Sequence, residues 1–501
     1  MALELMKRAQ SGWLTLAQVS QQREESMDMI VPDVSPDVFT IISATAVCTL
    51  QEKALRQDRV ELMGSAEVTV LYMAEEERVC MLHGSIPVKH ACEAKGCTDR
   101  CMAQVRMEAA TATAVVLNPR KLSLRVTISE EVIVWQDNNF ELTEEIVSAA
   151  DEGIEYRKAG ETYTLLAAVA EKPLNFAEDL HLHGDAAKGT MLAYTAVEWH
   201  SEEIKVMTNK LMIRGVAELK AVTVTETGMY AGSCNYSLPF SQMMECDRSE
   251  PGDAVELSFT TTALDCRLTM SEGSPQLTCA MSGTMMAKIY RERRLEAVVD
   301  LFSTCCTSER EITAIAVECK PDKTEYRAAA RETVECPFQP EQICDWSWCA
   351  RGECLPDGGA LCYFWFRILC RTSDGDLRTV CRRIDQQMEG EACCCCSPRA
   401  EGVRVTPEDK SLCVEFTAVA EYTVRKPCAM TQVTACRVDK THPRERPAPG
   451  TLLLRAAGTE ETVWSISKQY GVPPTMLREA NKLASDAAVT PGQLIIVPFA
   501  R

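Results

Sequence analysis

Long apolar runs are missing from this sequence. Its uncharged hydrophobic stretches, such as Leu361 to Phe366, are strand-sized, which excludes a spanning helix of about 20 apolar residues. The opening MALELMKRAQSGWLTLAQVSQQ sets no apolar core behind a basic start; it does not read as a signal peptide, and residence in the cytosol is expected. Basic runs are missing too. With 53 basic against 72 acidic residues the formal net charge is -19, which repels phosphate backbones and anionic headgroups. Nucleic acid and membrane surfaces are therefore poor partners, and a basic protein or a neutral glycan is easier to accommodate. No Gly-x-Ser-x-Gly, phosphate-binding Gly-Lys-Ser/Thr loop or His-Glu-x-x-His occurs. Histidine is scarce, and His181 and His183, close together on one strand face, have no positioned partner for acid–base work. A non-enzymatic chain with no catalytic residue and no cofactor is expected.

Cysteine, by contrast, is abundant, with 26 residues. In a long chain without an export signal these read as reduced, largely buried thiols. Zinc is the rival reading. Cys92, Cys97 and Cys101 lie near His83 and His90, Cys344, Cys349 and Cys354 are spaced by five, and Cys393 to Cys396 run unbroken. None of these gives two clean, separate Cys-x(2–4)-Cys knuckles or a consistently placed His between repeats, so no metal ligand is assigned. The four-cysteine run reads as a reactive surface patch or a crosslink.

At 501 residues the chain needs several cores. A β-rich unit recurs: VELMGSAEVTVLYMAEEE, containing Gly64, returns as KLMIRGVAELKAVTVTETG, containing Gly215, 151 positions later (215 minus 64), and more weakly as LPDGGALCYFWFRILCRTSDG around Gly358. Each is followed by a second alternating segment, from Lys121, Pro275 and Ser411. In the first, Leu122, Leu124, Val126 and Ile128 share one face, the period of a half-buried strand. The fold class expected is mainly β: repeated antiparallel sandwich-like domains, then a small β-α-α-β domain. The layout reads as an N-terminal helix or arm (1–24), β domains at 25–160 and 161–310, a degenerate third at 311–430, a linker at 431–449 and a terminal module at 450–501. A loose helical pattern covers residues 1–28, on Leu14, Val19 and Met27.

In the terminal module Thr462 reads as a helix N-cap, Val463, Ile466 and Tyr470 as one apolar stripe, and Gly471 as the helix stop. Pro473-Pro474 opens a second helix, with Met476, Leu477 and Ala480 on its buried side, and Leu494 to Val497 closes as a strand. Thr462-Val463-Trp464-Ser465-Ile466, Tyr470-Gly471-Val472, Leu477, Asn481 and Pro491-Gly492-Gln493-Leu494 resemble the LysM pattern along its whole length. That resemblance implies a module for N-acetylglucosamine glycans, with a ligand surface made here by Gly458, Thr459, Glu460 and Glu461 entering helix 1 and Lys482, Leu483, Ala484, Ser485 and Asp486 leaving helix 2. Glu460-Glu461 stands where the family usually has Gly-Asp, which favours a protein ligand. Trp464 either packs helix 1 or rims the ligand surface.

Ile30-Val31-Pro32-Asp33-Val34-Ser35-Pro36-Asp37 resembles the Pro-Asp-x-x-Pro-Asp signature of the SPOCS family of spore-coat-associated proteins, and Val298 to Thr304 resembles that family's segment closing a repeat. SPOCS units followed by one LysM module imply a scaffold of spore coat or envelope assembly, working in the mother-cell cytosol at the forespore surface. They also imply a partner, a spore coat morphogenetic ATPase (SpoIVA-like), held through the LysM module. The alternative is a peptidoglycan-binding protein of the spore cortex or cell wall.

Overall fold

The computed structural model describes residues 2–74, 78–147, 152–227, 229–271, 274–426, 428–445, 447, 451–483 and 489–499. Strand makes up 76% of it and helix 5%, which settles the mainly β class. The first unit contains β1 (Glu4–Ile30), β2 (Thr40–Arg56), β3 (Arg59–Met73), β4 (Val79–Glu93), β5 (Met102–Asn118) and β6 (Lys121–Val147). They form two antiparallel sheets, ordered β2-β3-β4 and β1-β6-β5. The predicted face of Leu122, Leu124, Val126 and Ile128 is buried between them, against Val68, Val70 and Tyr72 of β3.

The second unit repeats this arrangement with β7 (Ile154–His181), β8 (Met191–Met207), β9 (Lys210–Val224), β10 (Tyr230–Glu245), β11 (Ala254–Ser271) and β12 (Ser274–Ser303), in sheets β10-β9-β8 and β11-β12-β7. The third has β13 (Cys306–Val317), β14 (Asp322–Glu335), β15 (Pro340–Cys354), β16 (Ala360–Thr372), β17 (Leu377–Met388), β18 (Cys395–Glu408), β19 (Ser411–Val424) and β20 (Cys428–Pro443). Its sheets run β15-β16-β17 and β14-β19-β18, with β13 paired to β20. The long first and last strands of the other units are each divided in two here, but the order of pairing is the same.

Several expectations are corrected. The helix expected within residues 1–28 does not form among the described residues: Glu4 to Ile30 pair with β6 from Val147 back to Lys121. A ready-made partner strand offsets the weak helical pattern, because backbone pairing and packing outweigh local propensity. Residues 431–443, read as linker, belong to β20 and pair with β13. The third unit is therefore a complete copy from Cys306 to Pro443, not a degenerate piece at 311–430.

The three units share cores. Leu71 of β3, Val222 of β9 and Leu369 of β16 meet in one buried cluster. Ile146 of β6, Val298 and Leu301 of β12, and Val433 and Val438 of β20 meet in another. Glu318, between β13 and β14, ties all three: its carboxylate accepts from the Thr15 hydroxyl at 2.9 Å and its carbonyl from Leu166 N–H at 2.9 Å. Strands of all three units also line a cavity of about 880 Å³. No described helix is long and apolar enough to cross a membrane.

Candidate functional site

The terminal module is built from β21 (Leu453–Ala456), α1 (Val463–Tyr470), α2 (Pro474–Asn481) and β22 (Leu494–Val497). Thr462 caps α1 as predicted, in a reciprocal pair: Ser465 N–H donates to the Thr462 hydroxyl at 3.1 Å, and Thr462 N–H to the Ser465 hydroxyl at 2.9 Å. Gly471 stops the helix at φ 65°, the left-handed conformation glycine adopts without strain. Val463, Ile466, Leu477, Ile495 and Val497 make the core. Ala480, expected inside, is exposed. Asn481 fastens α2 to β22, its amide donating to Leu477 and Ile496 carbonyls at 2.8 and 2.7 Å and accepting from Ile496 N–H at 2.7 Å.

Of the predicted ligand residues, Gly458, Thr459 and Glu460 are exposed in the turn before α1. Glu460 sits at φ 66°, a left-handed position that suits glycine and costs a residue with a Cβ about 1–2 kcal/mol. Glu461 is not free to meet a ligand: both its oxygens accept from Arg455, at 2.6 and 2.8 Å, and one also from Gly458 N–H at 2.7 Å. These hydrogen bonds, Gly458 N–H first, hold its carboxyl below the usual carboxylate range against the opposing effect of burial. Val489 N–H donates to the Glu461 carbonyl at 2.9 Å, so Val489 lies beside this turn. Lys482 ends α2 at φ 54° and is exposed, while Leu483 packs on the module's core. Ala484, Ser485 and Asp486 lie outside the described residues.

Trp464 belongs to a different surface. It is 6% exposed, stands edge-on to Phe302 with ring centroids 5.1 Å apart, and lies under the Arg157 guanidinium. Its indole N–H donates to Asp300 Oδ2 at 2.8 Å. Lys468 Nζ and Arg310 Nε meet the same carboxylate at 2.6 and 2.8 Å. Burial pushes the Asp300 carboxyl up, but the Lys468 and Trp464 hydrogen bonds and the Arg310 charge outweigh it, so the group stays below its ordinary range. From the linker side, Arg444 donates to the Lys468 carbonyl at 3.1 Å, satisfying a free helix end. Tryptophan thus packs, as one of the two readings had it, but against β12 rather than within the module. Asp300, Lys468 and Arg444 were missed from sequence; Asp300 lies inside the Val298 to Thr304 segment singled out above.

Arg120 clamps the Pro-Asp loop, donating to the carbonyls of Ser35, Pro32 and Val31 at 2.7, 2.9 and 3.1 Å and pairing with Asp37 at 3.0 Å. In the cysteine run Cys394 is exposed, Cys393 approaches Cys354 at 2.9 Å, and Cys396 is buried beside Cys362. His181 is exposed, and His183 stands edge-on to Tyr236.

Comparison with known families gives two results. The LysM domain matches residues 458–498. The SipL, SPOCS domain matches residues 37–116 and 193–269, which contain β2 to β4 with most of β5, and most of β8 with β9, β10 and most of β11. No curated protein and no solved structure matches the chain.

Proposed function

For a sporulation-related protein that joins SPOCS domains to a C-terminal LysM module, as SipL-like proteins do, we propose the role of a non-enzymatic scaffold in spore coat or envelope assembly. It works in the mother-cell cytosol at the forespore surface. Its LysM module holds a spore coat morphogenetic ATPase of the SpoIVA type. One observation carries this reading. The aromatic and cationic face of α1 is engaged by Asp300, Phe302 and Arg157 of the body, while the turn 458–460, with Glu460, stays exposed. A negative, aromatic-poor turn suits basic protein groups better than sugar rings, which stack on exposed aromatics.

The second reading, peptidoglycan binding, is supported by the LysM match itself. The full chain separates the two. Charge reversal at Glu460 (E460K) is expected to abolish co-purification with the coat ATPase from sporulating cells, while retention on insoluble peptidoglycan stays at background. Unchanged co-purification, or retention on peptidoglycan that falls when the LysM module is deleted, overturns the scaffold reading in favour of the glycan.

A further inference from the structure

Within the first unit, four polar side chains converge where β4 crosses β1 and β6. His90 and Cys92 stand two apart on β4, so strand alternation puts both on one face. Gln21 of β1 and Glu130 of β6 are direct cross-strand partners. Glu130 Oε2 lies 3.0 Å from His90 Nδ1, and His90 Nδ1 lies 3.5 Å from Cys92 Sγ. The Gln21 amide nitrogen touches all three acceptors, at 2.7 Å from Glu130, 3.0 Å from His90 and 3.4 Å from Cys92. The His90, Cys92 and Glu130 donor atoms all lie within 4.8 Å of one another.

We propose that His90, Cys92, Glu130 and Gln21 form a binding site for one divalent transition-metal ion, zinc in type. Imidazole, thiolate and carboxylate together are the donors of tetrahedral zinc. Bonds of about 2.0–2.3 Å at tetrahedral angles place neighbouring donors about 3.3–3.6 Å apart. The separations here, 2.7 to 3.5 Å, need only a slight expansion. Nitrogen and oxygen of a glutamine amide exchange by a simple flip, and that flip turns Gln21 from a donor shared among three acceptors into the fourth ligand.

Two independent observations point to a ligand. Glu130 is 1% exposed, and its Oε1 has no hydrogen-bond partner, an arrangement that is costly for a buried carboxylate unless a full positive charge faces it. A zinc ion on the neighbouring oxygen supplies that charge. The fold itself does not ask for these residues. The bulges facing Trp135 in β6 and Tyr290 in β12 set the two units in register. Glu130 then corresponds to Met285 and Gln21 to Lys172, which are cross-strand partners in their turn. Gly64 pairs with Val88 as Gly215 pairs with Phe240, so His90 corresponds to Gln242 and Cys92 to Met244. Met244 and Met285 lie fully buried in the second unit's core. Methionines therefore suffice for packing at these positions, and the first unit carries donors in their place.

The test uses the full reduced chain, stripped of metal and dialysed against zinc, with zinc counted by elemental analysis. One equivalent per chain is expected. Cobalt(II) in its place is expected to give visible d–d bands and a near-ultraviolet thiolate-to-cobalt band. The double variant Cys92→Met/Glu130→Met copies the packing of the second unit. It is expected to lose that one equivalent and both cobalt signals while its circular dichroism and melting transition persist. A single His90→Gln change, after Gln242, is expected to lose them as well. If the wild-type chain takes up no stoichiometric zinc, or if the folded double variant takes up as much, the proposal fails and His90 with Glu130 is a plain hydrogen-bonded pair. The double variant also separates this site from adventitious uptake by the other thiols.

Discussion

At the scale of single residues, Glu460 and Asp300 illustrate opposite uses of an acidic side chain. Glu460 is held at a positive φ of 66°, a conformation that glycine adopts more readily than a residue with a Cβ. Glu460→Gly should stabilise the LysM module by about 1 kcal/mol, read as a rise in its denaturant midpoint. Asp300 is instead the single carboxylate on which Trp464, Lys468 and Arg310 converge. Its folded pKa lies below the ordinary 3.8. Docking therefore favours the ionised form; that contribution is complete above the free-carboxylate value and fades as pH falls through the lowered one. Acidification below pH 3.8 should expose the indole and shift the Trp464 part of the emission, isolated by difference from Trp464→Phe, to the red. Asp300→Asn should show that shift already at neutral pH, with docking weakened by about 2–3 kcal/mol.

For individual elements, the α1 stripe is the clearest case of sequence dictating structure. Thr462, Ile466 and Gly471 each take the place their chemistry demands, and Ile466 is fully buried. Ile466→Asp should cost at least about 3 kcal/mol by burying an unpaired charge, seen as rapid proteolysis of residues 451–499 with the β body intact. The alternating strands β3, β6, β9 and β12 were legible for the same reason, since period two is local. The paired glycines were legible as a motif, and the cause is steric: a Cβ on Gly64 or Gly215 would lie 2.1 Å from the carbonyl of Thr49 or His200. In the third unit Leu369 takes the shared-core place of Leu71 and Val222, so Cys362, not Gly358, corresponds to those glycines. Gly358 lies in the preceding turn at φ 99°, which is why the third copy looked degenerate. β1 was illegible because its shape comes from a partner more than a hundred residues away, as in Glu4 against Val147. The α1 face of the LysM module was misplaced for the same kind of reason, since Asp300 is 164 positions from Trp464.

For the whole molecule, the shared clusters make three similar sandwiches into one body. Leu369 is 1% exposed among side chains of the first two units. Leu369→Ala should therefore cost about 3 kcal/mol and loosen contacts in all three units at once. Hydrogen exchange should rise at Leu71 and Val222 as well as around β16; a rise confined to the third unit would show that the clusters do not couple them. A different consequence follows from how each unit is closed. The opening strand of a unit bonds to its own final strand: Glu4 to Val147, Ile154 to Ser303, Cys306 to Pro443. On a ribosome adding about 5–20 residues per second, the start of each opening strand must wait roughly seven to thirty seconds for its mate. Nascent chains are thus open clasps that snap shut three times in succession, and a stalled or clipped message would release a long, unmated ribbon with both backbone edges bare.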